Sequence, residues 1–173
     1  MGYSAIKSWV TTIKNVKVLG ESVAKKSWEG GFEVSGLTAE VSVQQAPKIE
    51  IFYRSMTDEA AEVLMKTGKM PAGTETFISP TRAFSESYVG KMFEFHVKAG
   101  TTAQLESIGV RNAVTNHPYK HLPLVSKGWK KINAFFKVEG VNNMGLPHVN
   151  IGLGNGKALD IFNSNIINFT LIR

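Results

Sequence analysis

Phe52-Tyr53-Arg54 ends a short aromatic run on an arginine, and further along stands Thr76-Phe77-Ile78-Ser79-Pro80-Thr81-Arg82. A guanidinium at a strand end grips a pyrophosphate or a ribose with several fixed donors, a geometry that lysine does not match. The plainer alternatives are a surface arginine paired with a carboxylate and a serine before proline acting as a helix N-cap. Beyond Thr81 the carboxylates are Glu86, Glu94, Glu106, Glu139 and Asp160. Glu139 closes the run Phe135 to Val138 and on its own reads as a solvated residue before the turn at Gly140.

The histidines suggest a different chemistry. His117-Pro118-Tyr119-Lys120-His121 puts two imidazoles and an ammonium in one loop-like stretch, with Lys127, Lys130 and Lys131 just beyond. General acid, general base and a cation for the scissile phosphate are what metal-free RNA cleavage needs, and histidine titrates near neutrality. His96, beside Glu94, would suit either site. Two histidines in a proline-containing loop lack assured i, i+4 ligand geometry, so no metal is expected. Gly152-Leu153-Gly154-Asn155-Gly156-Lys157 fits neither standard phosphate-binding fingerprint and reads as a hairpin or a tight strand-to-helix turn.

The elements that must position these groups are legible from periodicity. Ile6, Trp9, Val10, Ile13 and Val16 predict an amphipathic helix over 5–17; strands are expected around Phe32 and Val34 and at Val41 and Val43. Pro47 separates residues 1–47, an adaptor or delivery piece or the first elements of the same domain, from the motif-bearing residues 48–173. A strand from Ile49 sends Arg54 to the face opposite Tyr53. A helix capped by Thr57 and stopped by Gly68 follows. Thr76 to Ile78 is a short strand, and Ser79-Pro80 opens a helix with Phe84 and Tyr88. Phe93, Phe95 and Val97 alternate with Glu94, His96 and Lys98 in a strand, and Thr101 with Gln104 predicts a capping box. Strand-like runs at 134–138, 148–153 and 166–172 complete an α+β domain with a mixed, mainly antiparallel core.

The chain has 173 residues, a formal net charge of +6 and no cysteine. It is long enough for one domain with a real core. The basic balance favours an anionic partner: a nucleic acid, a phosphate-bearing cofactor or an acidic protein surface. Without cysteine there are no disulfides, thiolate nucleophiles or cysteine-held zinc. No apolar run approaches a membrane span, and the N-terminus has no signal-peptide core. Gly2 is not followed by the serine or threonine that myristoylation expects at position six, where Ile6 stands.

Taken together, Tyr53-Arg54, the helix after it, Phe77-Ile78-Ser79-Pro80-Thr81 and the strand Lys91 to Lys98 resemble the arginine-serine-glutamate class of ADP-ribosyltransferases. The resemblance spans roughly residues 49 to 110 and implies an ADP-ribosyltransferase-like fold that takes NAD as its cofactor. By it, Tyr53, Arg54 and Ser79 bind the dinucleotide, Arg54, Ser79, Thr81 and Glu139 form the catalytic set, and ADP-ribose passes to a macromolecule or NAD is hydrolysed. The sequence departs from that class in lacking its late Glu-x-Glu or Gln-x-Glu motif. The chain also looks like the C-terminal effector of a bacterial polymorphic toxin, such as those of contact-dependent growth inhibition. That implies secretion within a larger parent toxin, delivery to a target cell's cytoplasm, a cognate immunity protein in the producer, and no membrane partner. Two alternatives stand beside the transferase: a ribonuclease toxin acting on tRNA or rRNA through His117, Lys120 and His121, and a non-enzymatic basic binding module.

Overall fold

The computed structural model describes residues 48–173 together with the short segments 16–17 and 42–43. The chain divides into two units, Met1–Pro47 and Lys48–Arg173. In the first, β1 (Val16–Lys17) pairs antiparallel with β2 (Ser42–Val43). Val16 and Lys17 are therefore extended where the periodicity predicts the end of a helix. The rest of that helix, and the strand expected around Phe32 and Val34, lie outside the described residues.

The second unit is α+β, as expected, and is built on two sheets. β3 (Ile49–Met56), β5 (Lys91–Lys98) and β9 (Ile166–Leu171) form an antiparallel sheet in the order β3-β5-β9. β4 (Phe77–Ile78), β6 (Gly109–Arg111), β7 (Ala134–Val141) and β8 (Pro147–Gly152) form the second, in the order β4-β8-β7-β6, where only β6 and β7 run parallel. The helices are α1 (Asp58–Thr67), α2 (Arg82–Glu86), α3 (Thr101–Glu106), α4 (Trp129–Ile132) and α5 (Lys157–Asn165).

Strand alternation decides which side chains meet. Phe93, Phe95 and Val97 of β5 turn inward and are buried. Phe162 of α5 packs edge-on against Phe95 and Phe52, with ring centroids 5.5 and 6.1 Å away. On β7, Ala134 and Phe136 are buried while Phe135, Lys137 and Glu139 take the other face. Lys137 pairs with Asn150, and Phe136 with Ile151, so Ile151 goes to the core while His148, Asn150 and Gly152 share the face of Lys137 and Glu139.

The two sheets are stitched at one point. Tyr53 N–H donates to the Ser79 carbonyl (2.7 Å) and Ser79 N–H to the Tyr53 carbonyl (2.9 Å), an isolated antiparallel bridge from β3 to the end of β4. That bridge sets Arg54 and Ser79 next to each other.

Local chemistry explains where the expected ends hold and where they move. Thr57 caps α1, accepting from Ala60 N–H at 3.3 Å, and Gly68 ends it in the left-handed region at φ 70°. Ser79-Pro80 does not open α2; Thr81 precedes the helix, and Ser79 belongs to the inter-sheet bridge. Tyr88 lies beyond the helix, yet its ring stays 5.5 Å from that of Phe84. The Thr101–Gln104 capping box does not form. Thr101 Oγ1 donates back to the Lys98 carbonyl, and the Gln104 amide oxygen accepts from Asn165. Glu50 caps α3 instead, accepting from Gly100 N–H (2.7 Å) and Thr102 N–H (2.9 Å). The glycine run 152–156 is a strand-to-helix turn held by close backbone packing: a Cβ on Gly156 would lie 2.1 Å from the Lys131 carbonyl oxygen. Asn155 N–H donates to the Lys130 carbonyl (2.9 Å). This turn therefore abuts the backbone of α4 at the start of α5.

Candidate functional site

A cleft of about 280 Å³ opens between the two sheets, lined by Arg54, Ser79, Phe84, Lys137, Glu139 and Asn150 among others. Arg54 reaches it from β3 because it shares the inward parity of Phe52 and Met56. Its Nη1 donates to the Phe77 carbonyl (2.6 Å) and its Nη2 to the Glu75 carbonyl (3.1 Å). A guanidinium has five N–H donors in a fixed fork, so these bonds fix its plane and leave the remainder for a ligand. Burial lowers its pKa from the ordinary arginine value. The group stays cationic because guanidinium deprotonation lies far outside the physiological range. Arg54 also lines a wider groove of about 850 Å³ that runs along Thr57, Ala60, Pro71 and Gly73 to Glu75. It therefore stands on the rim shared by a compact cleft and an open groove.

Glu139 sits across the cleft with both carboxylate oxygens engaged. Oε1 pairs with the Lys137 ammonium, and Oε2 accepts from Asn150 Nδ2 at 2.6 Å. Burial pushes its pKa up, but the bonds from Lys137 and Asn150 and the nearby charges outweigh it, and the net direction is down. Glu139 is thus a carboxylate at neutral pH. Lys137 is itself steadied over the Phe77 ring, 5.7 Å from its centroid.

Ser79 is 2% exposed and its hydroxyl is fully committed. It donates to the Thr81 carbonyl (3.0 Å), accepts from Thr81 N–H (3.2 Å), and lies 3.3 Å from His148 Nε2. With both lone pairs and the proton in use, it positions its neighbours and is no free nucleophile. Thr81 faces the opposite side of this wall, lining a second cavity of about 490 Å³ with His148 and Tyr119. Tyr53 contributes through its backbone bridge; its side chain is on the face opposite Arg54, where it bonds Glu94. Burial, then Glu94, raises the Tyr53 pKa. His96 joins the same outer face, 2.6 Å from Glu94, and that bond is the leading reason the Glu94 pKa falls. His96 therefore enters neither the cleft nor the histidine loop.

The alternative set is dispersed. His117 is 1% exposed, with Nε2 donating to the Phe136 carbonyl (2.9 Å) and Nδ1 accepting from Tyr119 N–H (3.0 Å). Both nitrogens serve the backbone, which leaves none for proton transfer. His121 is at the surface, paired with Glu106 at 2.7 Å, and the exposed Lys120 borders a different shallow pocket. Among the described residues no cluster of three or more histidines, aspartates and glutamates could hold a metal ion, and no helix is long and apolar enough to cross a membrane.

The site thus combines a braced arginine, a committed serine and a doubly held carboxylate. Residues 48–171 match the family model described as the PT3 toxin domain, which covers the whole of both sheets and every residue of the cleft. The chain belongs to the PT3 toxin domain family. Its role is that of a toxin effector domain of polymorphic type. No curated protein matches it.

Lys137 and Asn150, which line this toxin domain's cleft, and His148, which lines the cavity behind it, carry no functional expectation from the sequence. Their signal is present in the chain, since His148 and Asn150 alternate with the apolar Val149 and Ile151 in a strand whose polar residues must face a polar cleft.

Proposed function

We propose that residues 48–173 bind NAD as a substrate and transfer its ADP-ribose to a macromolecule, with hydrolysis when water takes the acceptor's place. The observation that carries this reading is the meeting of Arg54, Ser79 and Glu139, from widely separated segments, around one cleft. The cleft is sized for the nicotinamide riboside end of the dinucleotide, with Phe84 on its wall. Arg54, on the rim, would take the pyrophosphate, and the groove along Pro71 to Glu75 would take the adenosine end. In the reaction the bond between the nicotinamide nitrogen and the ribose carbon breaks. Nicotinamide leaves with the bonding pair, and positive charge grows on the ribose. Glu139, a carboxylate fixed before the reaction, stabilises that charge without reorganising. A nucleophile of the target, giving up its proton, then joins the ribose.

Glu139 also answers the missing late motif: Lys137-Val138-Glu139 keeps the carboxylate on the cleft face and puts an ammonium where the resemblance leads one to expect an acid or an amide. The chain's formal net charge of +6 fits an acidic immunity protein in the producing cell, and its toxin-domain family fits delivery within a larger parent toxin. Incubating the chain with labelled NAD and a bacterial lysate tests the reading. Transferred label or released nicotinamide supports it; RNA cleavage without NAD, or neither, overturns it.

A further inference from the structure

His148 is a buried titratable side chain that this reaction does not use, lying behind the cleft wall on the neighbouring cavity. It is 7% exposed, and its ring stacks on Phe84 with centroids 4.7 Å apart and planes 15° from parallel. Its tautomer follows from its neighbours. Asn150 is 1% exposed and must turn its amide N–H toward the Glu139 carboxylate, since a carboxylate accepts and does not donate. The Asn150 carbonyl oxygen then faces His148 Nε2 at 2.8 Å and requires a proton there. The same N–H is shared with Ser79 Oγ at 3.3 Å, and Nδ1 is left to accept from Thr81 Oγ1 at 3.4 Å. One unbroken hydrogen-bonded chain thus runs from Ser79 and Thr81 through His148 and Asn150 to Glu139.

The geometry points to His148 as a positioning residue: its Nε2–H locks the Asn150 amide in the one orientation that aims a donor at Glu139, and so transmits the Ser79–Thr81 strand end to the reacting carboxylate. This rests on the transferase reading for its catalytic meaning, though the chain of bonds does not. If the donor from His148 is lost, the amide is oriented from the Glu139 end alone and the buried Asn150 carbonyl oxygen loses its partner, so the bond to Glu139 is held less firmly. The stack on Phe84 fixes the plane of the ring.

Three variants separate this role from packing. His148→Phe keeps the ring and its stack but removes the donor. His148→Gln returns a neutral N–H at similar reach. Asn150→Asp leaves the histidine in place but sets a second carboxylate beside Glu139. The first readout is the titration midpoint of the Glu139 carboxyl by carbon NMR, assigned by the signal missing in Glu139→Gln. The charged and titratable groups facing Glu139 are Lys137 on its own strand, His148 on β8, and Arg54 and Glu75 across the cleft; only His148 changes in the first two variants. The midpoint should rise in His148→Phe and in Asn150→Asp and return to the wild-type value in His148→Gln. The second readout is nicotinamide release, where His148→Phe should lower kcat about 10- to 100-fold with KM for NAD within about twofold, and the glutamine variant should recover most of it.

A midpoint unmoved by His148→Phe overturns the relay. A glutamine variant that behaves like phenylalanine does so too, because charge on the imidazole and not its hydrogen bond would then be responsible. Should the phenylalanine variant fail to fold, the Asn150→Asp variant decides: an unshifted midpoint there breaks the chain at its last link. If the wild-type protein releases no nicotinamide, the transferase reading fails, and the carboxyl titration still decides the relay.

Discussion

Replacing Arg54 with alanine should both destabilise the fold and weaken NAD binding, and the structure sets the size of each effect. The guanidinium reaches from β3 to the carbonyls of Phe77 and Glu75, bracing the segment that leads into β4. Hydrogen bonds from a charged donor contribute about 1.5–3 kcal/mol each. The Glu75 carbonyl is exposed and water replaces its bond, so the loss is set mainly by the part-buried Phe77 carbonyl and comes to about 2 kcal/mol. For a unit of this size that lowers the thermal midpoint by about 6–10 °C. At a temperature well below both midpoints, calorimetric titration with NAD should show affinity reduced about 10- to 100-fold, the equivalent of one charge-assisted contact. An unchanged thermal midpoint would refute the bracing argument. Unchanged NAD affinity in a folded variant would remove Arg54 from the dinucleotide site.

Gly156→Ala should cost about 3 kcal/mol, because the new Cβ meets the backbone carbonyl of Lys131, which cannot swing aside; the urea midpoint should fall with its slope unchanged. His117→Ala should destabilise the fold by about 2–4 kcal/mol through loss of a fully buried, doubly bonded ring, with NAD turnover per folded molecule unaltered. Denaturation beside a turnover assay checks both parts. Lys137→Met should raise the midpoint of acid unfolding. The Glu139 pKa is lower folded than unfolded, so its stabilisation is present above the ordinary glutamate value of about 4.3 and is lost as pH falls through the folded value. Removing the ammonium takes away the largest opposing contribution and leaves burial against the Asn150 bond, and so moves that loss to higher pH.

Strand β5 and helix α1 could be read from the sequence because each carries its own signal: strict alternation in Phe93, Phe95 and Val97, and a threonine cap with a glycine stop. The positions of Arg54 and Ser79 near strand ends could be read for the same reason. Other features could not, because they depend on groups far apart in the chain. The Thr101–Gln104 pattern fits a capping box, yet Gln104 N–H goes to the Gly100 carbonyl, and Glu50, about fifty residues earlier, satisfies the Gly100 and Thr102 N–H groups at the helix start. Ser79-Pro80 fits a helix start, but the serine's backbone is taken by Tyr53 across the inter-sheet bridge. The His117–His121 loop reads as an acid–base pair until folding buries one ring beneath the backbone and leaves the other at the surface. Asn150 and His148 carry no motif; only the pairing of β7 with β8 brings them to Glu139.

In the proposed reaction, Glu139 stabilises charge on the ribose of NAD in the Arg54 cleft. Nicotinamide release by the wild-type chain and by Glu139→Gln, measured under single-turnover conditions at saturating NAD, tests it most directly. The substitution should lower the rate about 10²–10³-fold while NAD still binds, as for loss of one preorganised electrostatic contact. Equal rates from the two proteins, or no release from the wild type, would contradict it.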